Sequence, residues 1–514
     1  MLKFLIRLLA GLAVLVLLAV GAAYFVLQDP NRFKPEIEAF IQAQTGAEVE
    51  IGGDLTWQLF PPLALSAAGI RAEYEGNRYT LESLQLDLDL MSVIRSRDTD
   101  QWQVKALRLS GLTVDQEGEV TRLESLVLRD FKPATPSPFQ ASLTQRSSDG
   151  SELPLTLAGL LAVDPDARRI SLTDTRFRTT QADGTCEISA TVREGAQPPD
   201  PEGVIIPVSI WRSVDWSGEC LLDRLTLEEE DFRDVRVTLA NAAGVSTTQL
   251  QIPDFFDGSA EAIVDIDASA DPVRWRIVPD LARADSTAVM AWLDQRLKWI
   301  APLALAGEIT MTGNTEEELI RSVKGKTTFD GGQGRIDIAR IKKPLLDLAT
   351  LFREPDRIAA WPELWRYQKL AGEWLVDGTR HELDFALDNL KAEVAGDYDP
   401  LTDALDMKAS FRFEEDPELP GFDVNPVLVG LPIPLTCTGT LEAPKCSVTK
   451  DAARNLVAAA LTSEEGSDIR KKIDQKIEEE VPEQYREAAR GFLELLGESL
   501  KRRQEEKENA EGND

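Results

Sequence analysis

Histidine occurs once in the 514 residues, at His381, and cysteine four times. One imidazole without a histidine partner excludes a multi-histidine metal centre and leaves nucleophilic chemistry without its usual base. No two cysteines have CxxC spacing, which removes the common zinc and dithiol readings. GxSxG, Walker and HExxH motifs are absent. The GGQG at Gly331–Gly334 lacks the full dinucleotide spacing and is expected to be a turn between strands. Basic charge is also scarce: 88 carboxylates against 56 Lys and Arg leave a net charge of −32. That disfavours nucleic acid and broad contact with an anionic bilayer face, because both draw on clustered cations. The carboxylates are so numerous that no acidic pair stands out, and a solvated face accounts for them. The expectation is a chain that is not an enzyme, with no cofactor and no metal.

One uncharged apolar run is present, from Leu8 to Val26. As a helix it would rise roughly 28 Å, about one hydrocarbon core. Leu8, Leu12, Leu15, Leu18 and Phe25 are its candidate membrane-anchor residues. Lys3 and Arg7 precede it and Asp29 follows, which favours a cytoplasmic N-terminus, although Arg32 and Lys34 weaken the asymmetry. A cleaved signal peptide is the alternative, with Ala19, Gly21, Ala22 and Ala23 as acceptable small residues. No later run approaches this length, so a single span is expected.

After Asp29 and Pro30, the spacing of Phe33, Ile37, Phe40 and Ile41 predicts a short helix capped at Gly46. The period then becomes two. Leu84, Leu86, Leu88 and Leu90 fall on one face, with Gln85, Asp87 and Asp89 on the other. Leu107 and Leu109, Leu126 and Leu128, Val235, Val237 and Leu239, and Val264 and Ile266 repeat the pattern. This is the alternation of antiparallel strands with one apolar face. Helices are predicted over Val289, Leu293, Leu297 and Ile300, capped by Asp285 or Ser286. Another follows the capping-box pair Thr315 and Glu318 and stops at Gly325, and a third spans about Pro344 to Phe352. Beyond Asp451, Ile469, Ile473 and Ile477 line one face of a charged helical segment.

The expected organisation is an anchor over 1–28, a β-rich region over 29–450, a helical segment over 451–501 and a disordered acidic tail over 502–514. Four cysteines suit an oxidising compartment. They allow three pairings; Cys437 with Cys446 are nearest and Cys186 with Cys220 are the complement, with four unpaired buried thiols as the alternative. A loop as short as the first contributes about 2.5–3 kcal/mol in the chain-entropy account.

The stretch DPNRFKPEIEAFIQAQTGAEVEIGGDLTWQLFPPLAL resembles the start of the AsmA family. It has the span, Asp-Pro, a short helix, Thr-Gly, a strand, Gly-x-Leu, an aromatic and Pro. Three later stretches are similar in family order: VIIPVSIWRSVDWSGECLLDRLTLEEEDFRDVRVTLA, GEITMTGNTEEELIRSVKGKTTFDGGQGRIDIARI and LPIPLTCTGTLEAPKCSVTKDAARNLVAAA. The resemblance implies a single-pass inner-membrane protein of diderm bacteria with its bulk in the periplasm. Its implied fold is mainly β with helices: a transmembrane helix, an elongated curled antiparallel β-groove and a helical extension. The implied partners are phospholipids, the inner membrane and an outer-membrane or periplasmic protein. The implied role is phospholipid transfer between the two membranes in support of outer-membrane lipid balance and assembly. The family supplies no catalytic residues, so only the apolar phases named above are candidate groove lining. Alternation alone does not say whether protein or lipid covers that face, and a sandwich core is the competing account. An anchored scaffold that assists outer-membrane protein assembly without carrying lipid is the alternative function.

Overall fold

The computed structural model describes residues 30–448, apart from 46–47, 59–62, 75–76, 90–103, 117–118, 147–149, 194–199, 202, 296, 340–341, 344, 347–354, 416–420, 425 and 442. The anchor run and the segment after Asp451 lie outside the described residues. Among those residues no helix is long and apolar enough to cross a membrane. The fold is mainly β, antiparallel, with few and short helices. The chain divides into two compact units, Met1–Gly195 with Ser213–Ala240, and Ala196–Arg212 with Asn241–Asp514.

In the first unit a 3-10 turn, Pro30–Phe33, leads into the helix Lys34–Thr45. Two short strands follow, β1 (Glu48–Ile51) and β2 (Leu55–Gln58). Long strands succeed them: β3 (Leu63–Tyr74), β4 (Asn77–Leu88), β5 (Val104–Gln116), β6 (Glu119–Phe131), β7 (Ser137–Arg146), β8 (Glu152–Asp164), β9 (Arg169–Arg178) and β10 (Ala182–Val192). β11 (Val214–Leu227), β12 (Glu230–Phe232) and β13 (Val235–Ala242) complete the unit. From β3 to β11 each strand pairs antiparallel with the next, and β1 and β2 both pair with β3. The first helix is tied to this start of the ladder by polar contacts. The Glu38 carboxylate accepts from the Ile51 N–H at 2.7 Å, and the Asn31 side-chain oxygen accepts from the Leu55 N–H at 2.9 Å. Phe33 packs on Trp57 with ring centroids 5.8 Å apart.

The second unit carries β14 (Val245–Phe255), β15 (Gly258–Asp267), β16 (Arg274–Asp285), β17 (Trp299–Ile300), β18 (Pro302–Thr312), β19 (Lys324–Asp337), β20 (Leu364–Asp377), β21 (Arg380–Leu387), β22 (Leu390–Asp399), β23 (Ala404–Phe413), β24 (Ile433–Gly439) and β25 (Pro444–Ser447). These again form an antiparallel ladder, in which β18 rather than β17 succeeds β16. Neither unit's ladder closes on itself through the pairings of its described strands.

Three sequence expectations need correction. The helix expected to reach Ile300 is Ser286–Trp292, and Trp299–Ile300 is a strand paired with β19. Its apolar stripe fails beyond Trp292 because Leu293 and Leu297 are exposed, so no burial offsets the cost of another turn. Asp285 does cap it, accepting from the Thr287 N–H at 2.7 Å. The helix after Thr315 is Glu316–Ser322 with the expected capping box, but it ends at Val323, and Gly325 is inside β19. GGQG is not a turn between strands; it is an irregular part of β19, where the register shifts on both sides of Gly332. The Gly331 carbonyl there accepts from the buried Tyr367 hydroxyl at 3.1 Å, and that hydroxyl accepts from Trp299 Nε1 at 2.6 Å. Of the stretch expected to be helical from Pro344 to Phe352, 344 and 347–352 are outside the described residues.

Loss of the capping box should be measurable. Thr315→Ala is expected to destabilise the second unit by about 1 kcal/mol in urea titrations, with Thr315→Asp recovering most of it.

Candidate functional site

The register of the first unit puts the alternating leucines into straight rows. One row runs Leu65, Leu86, Leu107, Leu128 and Phe139; the next runs Ala67, Leu84, Leu109, Leu126 and Ala141. Leu88 stands between Leu63 and Val104, while Leu90 lies outside the described residues. Ala67, Leu128 and Phe139 are buried, but Leu84, Leu86, Leu88, Leu107, Leu109 and Leu126 are only half-buried. A sandwich would bury such rows fully beneath a second sheet. Here β3 to β11 all belong to one ladder, and the leucines at its centre are partly open.

The apolar rows continue past a seam that period-two reading misses. Across four adjacent strands the apolar positions step by three: Ala67 to Ile70, Leu84 to Leu81, Leu109 to Leu112 and Leu126 to Leu123. The residues skipped in the neighbouring ladders are Gly69, Glu82, Gly111 and Glu124, and the pairings 69–82, 82–111 and 111–124 are all missing. Gly69 and Gly111 have φ of 60° and 65°, a region that side chains disfavour, and this lets the chain change phase. A Cβ on Gly111 would also run into the Glu82 side chain. Arg122 bonds both Glu82 and Glu124 at 3.0 Å, which gathers the seam's charges together. Leu81, Leu112 and Leu123 form the row beyond it, followed by Leu143 and Leu155. Their sequence signal was the skipped beat beside a glycine.

Further along, Leu157, Phe177, Gly184 and Leu222 share one row, and Leu172, Ile188 and Gly218 another. Cys186 and Cys220 face each other between them and are disulfide-bonded. Cys437 and Cys446 face each other across β24 and β25 and are bonded likewise. On β13, Val235 is fully buried and Val237 and Leu239 are half-buried. The opposite face of the strands carries cross-strand ion pairs, among them Arg71 with Glu50 at 3.5 Å and Arg236 with Glu219 at 3.3 Å. Such exposed pairs contribute roughly 0–1 kcal/mol each, so they mark the solvated side more than they hold it.

In the second unit the apolar face is partly covered. Ile266 and Trp275 are buried beneath Ile206, and Val264 packs on the same cluster with Val208 and Trp211. Asn314 fixes this cover: its side-chain oxygen accepts from the Ile206 N–H at 3.1 Å, and its Nδ2 donates to the Ile206 carbonyl at 2.9 Å. Ile266 is therefore closed core, which its own alternation could not reveal because its cover lies sixty residues upstream. A second cover sits over Leu370, Leu387, Leu390, Phe413 and Ile433, all buried. Trp361, Trp365 and Phe422 pack there, with Trp365 stacked on Phe422 at 4.1 Å.

Away from these covers, the ends of β20 to β23 leave Trp374, Leu383, Val394, Leu405 and Met407 half-buried or exposed. His381 belongs to this open part, facing Val376 and Gly396 across the strands. Trp374 Nε1 donates to its Nδ1 at 3.2 Å, and the two rings stack with centroids 5.6 Å apart. Burial pushes His381 below its ordinary 6.5, against smaller upward pulls from the Tyr398 backbone and the Asp397 charge. The neutral form is thus favoured in the fold. Its stabilisation is complete above the ordinary value of 6.5 and is lost as pH falls from there through the lower folded value. As the chain has no other histidine, a fall in urea midpoint between neutral pH and the carboxylate range is expected for the wild type. His381→Phe should flatten it.

Among the described residues no group of His, Cys, Asp or Glu could hold a metal ion. What the arrangement can do is physical: present rows of aliphatic and aromatic side chains to a long apolar ligand, with charge confined to the far side. These features define a class, that of open antiparallel β-ladders with one solvated and one incompletely covered apolar face. Within that class, residues 1–195 match the model of the AsmA family, which supports the resemblance over these residues. The three later stretches lie outside the matched residues. No curated protein matches the chain. No solved structure matches it either.

Proposed function

We propose that this chain is a membrane-anchored periplasmic carrier that shields phospholipid acyl chains on its apolar face as they pass between inner and outer membranes. It works without a chemical step, and its action supports outer-membrane lipid balance and assembly. The observation that carries this reading is the set of half-buried leucine rows in a single ladder, Leu84 to Leu126 and Leu86 to Leu107. Each acyl methylene withdrawn from water gains about 0.8 kcal/mol, so even partial cover over a chain's length lowers the barrier to leaving a bilayer by many kcal/mol. The AsmA match of residues 1–195 is consistent with this role.

The test is lipid mass spectrometry on the full chain, extracted in detergent and exchanged into lipid-free detergent by extensive washing. Retained phospholipid at a fixed ratio to protein is the expected result. Photo-crosslinkers separate the carrier from the scaffold reading: a carrier yields lipid adducts at Leu86, whereas a scaffold yields protein adducts at Ile473 and none with lipid.

A further inference from the structure

Most neighbouring strands are joined by tight turns, but β10 and β11 are not. Their pairing ends on Val192 with Val214, and the Arg193 N–H donates to the Ser213 carbonyl at 2.7 Å, so residues 193–213 form one long hairpin loop. Roughly two to five residues suffice to join such strands, and loops beyond about 12–15 residues commonly carry a function. From Gly203 to Arg212 this loop belongs to the second unit and adds no strand to it. Ile206, Val208 and Trp211 form one cluster with Val264, Ile266, Trp275 and Met311 of the apolar face. The ties that hold this strap come from side chains and loops. Asn314 grips both sides of Ile206, and its carbonyl accepts from the Ile205 N–H at 2.8 Å. Trp211 Nε1 donates to the Ser246 hydroxyl at 3.2 Å, Asn241 Nδ2 to the Trp211 carbonyl at 2.8 Å, and Arg212 Nε to the Ala268 carbonyl at 2.7 Å. None of these is a ladder bond.

The strap is also apolar on two sides. Ile205 and Ile210 are 47% and 50% exposed, whereas a permanent cover is amphipathic, with polar residues towards water. Nor does it seal the face as the other cover does. Leu390, Phe413 and Ile433 are wholly buried, while Ile266 and Trp275 each keep 9% of their surface. The row beside them, Val264, Ile277 and Ile309, is half-buried like the leucine rows of the first unit. Resting on the carrier reading, we infer that Val264, Ile266, Trp275 and Met311 are an acyl-chain subsite that the strap occupies in the empty protein. A lipid tail that displaces Ile206, Val208 and Trp211 restores the apolar contact they made, so the exchange loses little beyond the polar ties. The strap then lies over the tail.

The test compares the full chain, detergent-washed, with the same protein loaded with a phosphatidylglycerol that bears a diazirine in one acyl chain. Illumination is expected to place adducts on β15 and β16, at Val264, Ile266 or Trp275. Hydrogen exchange should show the Ile205 and Ile206 amides losing protection at least tenfold on loading, while the strands keep theirs. Asn314→Ala, which removes both side-chain bonds to Ile206, should speed exchange in the strap about tenfold even without lipid. Adducts confined to Ile205, Ile210 or the first unit, with strap protection unchanged on loading, overturn the subsite and leave the carrier reading intact. Protein that takes up no lipid at all overturns both.

Discussion

If the chain carries phospholipid as proposed, Leu86→Asp combined with Leu107→Asp is expected to strip it of that lipid while leaving it folded. The two leucines are cross-strand neighbours at the centre of the first unit's apolar face, and both are half-buried. Two carboxylates placed there keep enough water to stay ionised when the face is empty. Against acyl chains they would have to be desolvated, at a cost of several kcal/mol each. Retained lipid per protein should fall at least tenfold, with far-UV circular dichroism and the urea midpoint near wild type. A closed core responds in the opposite way: two buried carboxylates would cost well over 4–5 kcal/mol and the unit would unfold. The double variant therefore decides between lipid and protein as the cover of this face.

The largest stability effect is expected at Phe413→Ala. Phe413 is fully buried, 6.1 Å from the ring of Trp361 and 6.0 Å from that of Phe422. Emptying such a site costs about 3–5 kcal/mol through lost transfer energy and the cavity that remains. Leu109→Ala, on the half-buried face of the first unit, should cost about 1–2 kcal/mol, in proportion to the area it hides. With two compact units, one global midpoint would blur the comparison. Urea titrations followed by tryptophan fluorescence, with Trp361 and Trp365 beside Phe413, resolve the second unit.

Alternation made the strands legible because period two is a local property: Leu84 to Leu88 and Leu107 to Leu109 announce a face without knowing their neighbours. The capping box at Thr315 and Glu318 is local too, and it is present at the helix start. Less legible were features decided at a distance. Val264 and Ile266 show the same alternation as Leu126 and Leu128, yet Ile206 closes over the former. Leu293 and Leu297 have helical spacing, but both stay exposed, so the helix stops at Trp292. At His381 the sequence neighbours Arg380 and Glu382, ion-paired to each other, say nothing of what the imidazole meets. Those side chains belong to the other face of β21. The imidazole's true surroundings come from β20 and β22 and are fixed by register alone.

The seam at Gly69, Glu82, Gly111 and Glu124 has a consequence for how this sequence can change. The four residues sit in different strands, yet they set a common reading frame for the face. Deleting Gly111 alone would leave Leu109, Leu112 and Val114 in plain alternation, but without the extra residue that β4 and β6 still carry, so the far half of β5 would lose a rung against both neighbours. No single substitution elsewhere restores the match; only a compensating loss in each neighbour would. Length changes are therefore expected to accumulate in the hairpins and to be purged from this line, so that four scattered codons are inherited in effect as one.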